Sequence, residues 1–293
     1  MKGNAQSRGV NYVSFRQKLS NYRKHKVSFA VMSAVYICMA ITLLSVIVLI
    51  VYILAKGIPN LKPSLFSPVY TEENVSMLPA IFNTLIMTAM SLGLAVPIGI
   101  FTAIYLVEYA SKGNKLVKII RITAETLSGI PSIVYGLFGY LFFNLALRFD
   151  YSLLGGALTL SIMILPVMIR TTEEALLAVP DSYREGAFGL GAGRLRTVFK
   201  IVLPSAVNGI FAGVVLSMGR IIGETAALIY TSGTATNIPK NVMGSGRTLS
   251  VHLYVLMNEG LHIKEAYATA VVILGFVLLL NFFSSRIAKK LKS

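Results

Sequence analysis

The chain has 293 residues, 55% hydrophobic and 13% charged, with a formal net charge of +15 and a mean hydropathy of +0.71. A soluble globular domain carries about 25% charged residues, so this shortfall, with the long apolar runs, excludes an ordinary soluble domain and points to a membrane protein. One cysteine, Cys38, and three scattered histidines, His25, His252 and His262, exclude a disulfide framework and show no metal-ligand spacing; the basic residues cluster beside apolar runs without an aromatic platform, which fits the positive-inside rule and not nucleic acid.

A basic arm, residues 1–27, opens the chain. It is too polar for a cleavable signal peptide, and the apolar run after it is too long for a signal core. Six apolar spans are predicted: 28–55, 80–107 (interrupted by Pro97 and Gly99), 130–147, 153–169, 205–230 and 266–285, followed by a basic tail, 286–293. A helix needs ~20 residues to cross a hydrocarbon core of ~30 Å. The third and fourth spans are a little short, as suits helices packed inside a bundle.

Lysine and arginine set the orientation. With the N-terminus inside, the inner segments hold 20 of the 27, the outer segments 6, and Arg220 lies within the fifth span. Both termini are therefore expected in the cytoplasm. The outer loop 56–79 carries Pro59, Pro63 and Pro68, residues 148–152 form a tight outer turn, and 231–265 form a longer outer loop. Its stretch from Leu249 to Met257 is apolar enough for an interfacial or re-entrant helix.

The inner segment between the fourth and fifth spans is the most informative. Pro180-Asp181-Ser182 marks a helix start, with Ser182 as N-cap and Glu185 completing a capping box. Gly189 and Gly191 end or bend that helix, and a second amphipathic stretch, Leu195 to Val202, leads to Leu203-Pro204. On local chemistry Glu185 reads equally well as nothing more than a cap. The pattern Glu-x-Ala-x3-Gly-x9-Ile-x-Leu-Pro, met at Glu185, Ala187, Gly191, Ile201, Leu203 and Pro204, resembles the cytoplasmic loop signature of ABC importer permeases. In that family the loop forms a coupling helix that docks on an ATPase subunit. The resemblance thus assigns ATPase coupling to Glu185, Gly186, Ala187, Gly191, Ile201, Leu203 and Pro204. Gly186 departs from the family's usual alanine and costs ~1 kcal/mol of helix propensity.

Arg220 and Glu224 stand four residues apart, the spacing of one helix face. At ~1.5 Å per residue Arg220 lies ~22 Å beyond Ser205, past the midplane toward the outside. One reading is a self-neutralising ion pair or an arginine reaching outward; the other is an anion-binding guanidinium held by a carboxylate, since the planar fork bonds two phosphate oxygens at once.

Further runs resemble the phosphate-specific permeases: Pro97-Ile98-Gly99-Ile100, Ala103 to Leu106, Glu108-Tyr109-Ala110, Gly129 to Gly139, Leu165-Pro166, Arg170 to Leu176 and Val179-Pro180. Arg220-Ile221-Ile222-Gly223-Glu224-Thr225-Ala226 looks like the run of the A-type subunit, PstA. The resemblance covers roughly residue 81 to the end; the arm and first span match only in topology. It implies an all-α integral membrane protein with six transmembrane helices. Its core, residues 80–285 with a coupling loop at 170–203, is a binding-protein-dependent ABC importer permease core in a prokaryotic inner membrane. It further implies a homologous C-type permease subunit, a pair of ATPase subunits and an external phosphate-binding protein as partners. Arg220 and Glu224 lie in the translocation path, no cofactor binds this chain, and ATP and Mg are used by the ATPase.

Other residues read more plainly. Glu108 and Glu125 are expected as solvated charges. Arg170 is expected to end the fourth span as a positive-inside anchor, with contact to exiting phosphate as the alternative. Asn83 and Thr84 are expected to pack between helices. Gly244-Ser245-Gly246-Arg247 lacks the lysine of a phosphate-binding loop, so energy must come from another chain. A permease for phosphonate or molybdate stays open, as does, at a greater remove, a gradient-driven transporter with Glu224 as proton carrier; the coupling loop speaks against the latter.

Overall fold

The computed structural model describes residues 26–290 except residue 112, so most of the basic arm and the end of the basic tail lie outside the described residues. Among the described residues there are helices and no strands. The chain forms two compact units, divided after Ala55. The first consists of α1, Lys26–Gly57, as far as Ala55. Its apolar side chains, among them Val31, Leu43 and Val51, are exposed all round, an arrangement that hydrocarbon tolerates and water does not.

The second unit carries the remaining helices. These are α2, Leu78–Ile104, prolonged by a wide π turn, Tyr105–Tyr109; α3, Lys115–Ser128; α4, Ser132–Gly139, prolonged as Tyr140–Ala146; and α5, Leu153–Leu177. Then come α6, Asp181–Gly189; α7, Arg194–Thr197, running through the wide turn Val198–Val202 into α8, Leu203–Gly223; α9, Ala226–Thr231; α10, Leu249–Glu259; and α11, Ile263–Lys290.

Among the described residues five helices are long and apolar enough to cross a membrane, and the bent pair α3–α4 makes a sixth crossing if counted as one. The pair turns through 103° at Gly129-Ile130-Pro131. The third span is thus a short helix preceded by an amphipathic one that the sequence reading left inside a loop. The fourth span is not short. It runs eight residues past the expected end, because Arg170, Glu173 and Glu174 lie along a cavity and an ion-pair network and do not end the helix.

Helix α5 is the central element, packed against α2, α3, α4 and α8. Glycines let it be approached closely: a Cβ at Gly99 of α2 would strike Met168, and one at Gly213 of α8 would strike Thr171. One core cluster joins Met87, Tyr135, Leu160, Met163, Ile221 and Leu228. A second, with Ala103, Leu176, Val179, Val198 and Val202, lies beside the α5–α6 turn and joins the wide turn Val198–Val202 to the end of α2.

The segment 231–265 is built into the fold. Ser152 N–H donates to Thr231 O (3.1 Å), Leu153 N–H to Gly244 O (3.0 Å), and Leu154 N–H to Val242 O (2.8 Å). Asn83 Nδ2 donates to Asn237 O and Arg247 O (3.2 Å each), and Thr84 Oγ1 accepts from Leu249 N–H (2.8 Å). Asn83 and Thr84 are buried between helices as expected, and they also hold this segment. Leu249, Val251 and Leu256 of α10 are fully buried, whereas Tyr254 and Met257 are exposed, so that helix packs one face into the fold.

Candidate functional site

Helices α3, α5 and α8 line an open cavity of about 680 Å³ whose charged lining is Arg121, Glu125, Arg170, Glu173, Glu174 and Arg220. The antiparallel register of α5 and α8 sets Gly213 against Thr171 and Gly209 against Ala175. Arg220 is then level with about Ile164, ~9 Å along the axis from Arg170 at ~1.5 Å per residue. The two arginines stand at different depths of one cavity.

Their surroundings differ. Arg170 Nε donates to Glu174 Oε1 at 3.1 Å, four residues on, and both side chains are about two thirds exposed. Such a pair contributes little. Arg121 of α3 pairs with Glu173 of α5 through Nη2 and Oε1. Arg220 is half-buried and has no carboxylate within 4 Å among the described residues. An unpaired guanidinium in a confined space is a ready site for an oxyanion.

Two sequence expectations are corrected here. Arg220 and Glu224 do not share a helix face, because α8 ends at Gly223 and Glu224 has extended backbone, φ −74° and ψ 128°. The Glu224 side chain turns to the next helix and accepts from Ala227 N–H at 3.2 Å, capping α9, while its carbonyl accepts from Ser250 Oγ at 2.7 Å. The predicted fifth span is thus a helix broken at Glu224. Arg170 does not end the fourth span; it lies two turns before the end of α5 and faces the cavity.

The predicted coupling loop is a helix–turn–helix. Helix α6 begins after Pro180 with no side-chain cap. The capping box is absent because the chain enters the helix two residues early, with Pro180 at the N-cap position, placing Ser182 inside the first turn. Arg184 anchors the start instead. Its Nη2 and Nε donate to Glu108 Oε1 (2.7 and 3.1 Å), Nη2 also to Leu176 O (2.9 Å), and Nη1 to Val179 O (2.8 Å) and Asp181 Oδ1 (3.2 Å). Glu108 is therefore not a solvated charge; its side chain is 9% exposed. Glu125 is exposed, as expected.

The signature residues divide between two faces. Ala187 is buried (4%), whereas Glu185 and Gly186 are exposed. Gly191 sits at φ +80°, the left-handed turn that reverses the chain between α6 and α7. Ile201 and Leu203 are half-buried where that second helix enters α8, and Pro204 lies in the first turn of α8, where its missing N–H costs nothing. The outward face presents Tyr183, Phe188, Leu190 and Leu195, with open space over Gly186, Gly189 and Gly193.

At the opposite end of α5, Arg247 is 3% exposed and its guanidinium lies 4.7 Å from the Tyr70 ring centroid, with no carboxylate within 4 Å among the described residues. Tyr70 meets His252 edge-on, centroids 6.3 Å apart. Burial, and then the Arg247 charge, lower the pKa of His252 to about 3. No sequence signal marked Arg247 or His252. Arg121, Glu173 and Arg184 were visible only as loop or flanking charges.

The family described as the binding-protein-dependent transport system inner membrane component matches residues 95–293, which hold every residue of the cavity and of the coupling loop. The chain belongs to this family. It is 32% identical over 281 residues to the probable ABC transporter permease protein YqgI of Bacillus subtilis, covering 87% of this chain and 94% of that one. It is 36% identical over 237 residues to the phosphate transport system permease protein PstA of Pasteurella multocida, covering 79% and 84%. PstA 1 of Mycobacterium tuberculosis is 36% identical over 184 residues, 62% of this chain and 60% of that protein. Among solved structures, an inward-facing MetNI methionine ABC transporter aligns with a TM-score of 0.63 at 20% identity, over 74% of this chain and 96% of that chain. A bacterial alginate ABC transporter aligns with a TM-score of 0.66 at 16% identity, over 94% and 98%. The fold is that of an importer permease, and the sequence is PstA-like.

Proposed function

We propose that this chain is one transmembrane subunit of an ATP-driven importer of inorganic phosphate and forms half of its translocation path. Arg220 carries the substrate reading. It is a guanidinium without a carboxylate, facing a cavity from within the Arg220–Ala226 run, in a chain 36% identical to PstA proteins. A tetrahedral oxyanion offers the planar fork two oxygens at once and supplies the counter-charge that this chain withholds.

In this reading both termini are cytoplasmic. The α6–α7 loop then faces the cytoplasm and offers Tyr183, Phe188 and Leu190 to an ATPase subunit, which holds the ATP and Mg. A homologous C-type subunit completes the path, and an external phosphate-binding protein delivers the anion. ATP-driven closure of the ATPase pair switches the cavity between inward- and outward-open states, and transport requires phosphate to bind these states with different affinity. This chain makes and breaks no covalent bond.

The test is co-purification with the ATPase, reconstitution in liposomes, and measurement of ATP hydrolysis and labelled-phosphate uptake. Phosphate is expected to stimulate both. Stimulation by molybdate or a phosphonate in its place would reassign the substrate; uptake without ATP would overturn the importer reading. For orientation, Ser64→Cys should react in intact cells with a membrane-impermeant thiol reagent and Ser182→Cys should not, each in a Cys38→Ser background.

A further inference from the structure

The cavity lining is electrically balanced: Arg121, Arg170 and Arg220 face Glu125, Glu173 and Glu174. An oxyanion with two charges meets only one free guanidinium, Arg220, unless it takes another from its carboxylate. The two ion pairs are not equivalent. Arg170–Glu174 lies within one helix and is open to solvent at both ends. In Arg121–Glu173 the glutamate side chain is 13% exposed and the arginine side chain 51% exposed. Only Nη2 of Arg121 is engaged, and the side chain makes no other polar contact among the described residues. Its remaining N–H groups are unpaired, beside the cavity that Arg220 also faces. Carboxylate and phosphate present the same paired-oxygen geometry to such a fork, so they compete for it.

We propose that Arg121 is a second oxyanion-binding guanidinium of this path, and that Glu173 is its resident carboxylate, displaced when the anion arrives. Displacement also undoes an ion pair joining amphipathic α3 to central α5, so anion binding frees α3 from that tie. This rests on the phosphate-path reading of the cavity.

The experiment measures equilibrium binding of radiolabelled inorganic phosphate to the assembled, detergent-solubilised permease–ATPase complex without the external binding protein. Thermal unfolding of each variant separates loss of fold from loss of binding. Glu173→Gln, which removes the competitor and keeps the shape, should tighten binding about fivefold, the affinity equivalent of a half-exposed ion pair. Glu125→Gln makes the same charge change at a carboxylate with no arginine within 4 Å among the described residues and should tighten it far less. Arg121→Gln should weaken binding, Arg121→Lys should weaken it in part, and Glu173→Gln added to Arg121→Gln should have no effect. The proposal falls if Glu173→Gln leaves binding unchanged or undetectable, if Glu125→Gln tightens it equally, or if the tightening survives without Arg121. Arg220→Gln separates the two levels. Full phosphate binding by that variant overturns the path itself; lost binding there, with no tightening in Glu173→Gln, overturns only the role of Arg121.

Discussion

Arg184 places two nitrogens on one carboxylate oxygen of Glu108, Nη2 at 2.7 Å and Nε at 3.1 Å, across 76 residues of chain. The same guanidinium takes up the Leu176 and Val179 carbonyls, at the C-terminal end of α5, where backbone acceptors lack intrahelical partners. One side chain thus ties the end of α2, the end of α5 and the start of α6. Any force applied to α6 passes directly into two membrane helices. With side chains 14% and 9% exposed, the pair is largely buried, and removing one partner costs on the order of 3–5 kcal/mol. Arg184→Met is expected to insert in the membrane but to lower the thermal unfolding midpoint and expose residues 181–203 to limited proteolysis. Unchanged cleavage there would show that the tie does not hold the loop.

The two faces of the coupling loop predict opposite outcomes for two similar substitutions. Leu190 is 91% exposed and Ala187 is 4% exposed. Leu190→Glu should leave stability within about 0.5 kcal/mol, as surface changes do, and abolish capture of the ATPase. Ala187→Glu buries a carboxylate and should unfold the loop locally, at a cost of several kcal/mol, losing the ATPase together with protease resistance. Pull-down combined with proteolysis separates the cases. ATPase capture by Leu190→Glu at the unmutated level would remove α6 from the docking surface.

The membrane helices were legible because twenty apolar residues in a row have one physical use. The helix–turn–helix between α5 and α8 was legible in outline because its residue pattern resembles a family signature, and Gly191 at φ +80° stands where the turn needs a glycine. What escaped was pairing over long sequence distance. Nothing near Glu108 announces Arg184, and nothing near Arg121 announces Glu173. The α8 break escaped for a different reason. Four-residue spacing implies a shared face only if the helix continues, and Gly223 with an extended Glu224 ends it. Helix α3 was hidden because its apolar positions are interrupted by Lys115, Lys118 and Arg121, and it packs only one narrow stripe, marked by Val117, into the core.

His252 makes stability depend on pH. Its folded value of about 3 lies below the ordinary 6.5. Below pH 6.5 the unfolded chain therefore takes up a proton that the folded chain refuses, so the stability present above 6.5 is lost progressively as pH falls toward 3. The groups facing it are the Arg247 guanidinium and the Tyr70 ring. Thermal unfolding in detergent between about pH 7 and pH 5, above most carboxylate titration, should show the midpoint falling with pH. His252→Gln should flatten that dependence by one proton. An equally steep profile in the variant would mean that the imidazole is not held neutral by the fold.

Glu224 and Arg220 offer the sharpest separation of a structural role from a transport role. Because Glu224 caps α9 through Ala227 N–H and lies in no ion pair with Arg220, the two side chains should behave independently. Glu224→Gln keeps an oxygen acceptor at the cap and should support near-normal uptake. Glu224→Ala removes it and should cost ~1 kcal/mol, the usual worth of a cap. Arg220→Gln should abolish phosphate uptake while the complex still assembles, and Arg220→Lys should also be impaired, since a point charge replaces a two-pronged fork. The double variant Arg220→Gln with Glu224→Gln decides the matter. A self-neutralising pair loses both charges together and recovers function; an anion-binding arginine leaves the double variant as inactive as Arg220→Gln alone. The structure favours the second outcome, because the carboxylate that would neutralise Arg220 is engaged elsewhere. Phosphate uptake by the double variant, in cells lacking other phosphate importers, is the measurement; near-normal uptake would remove Arg220 from the translocation path.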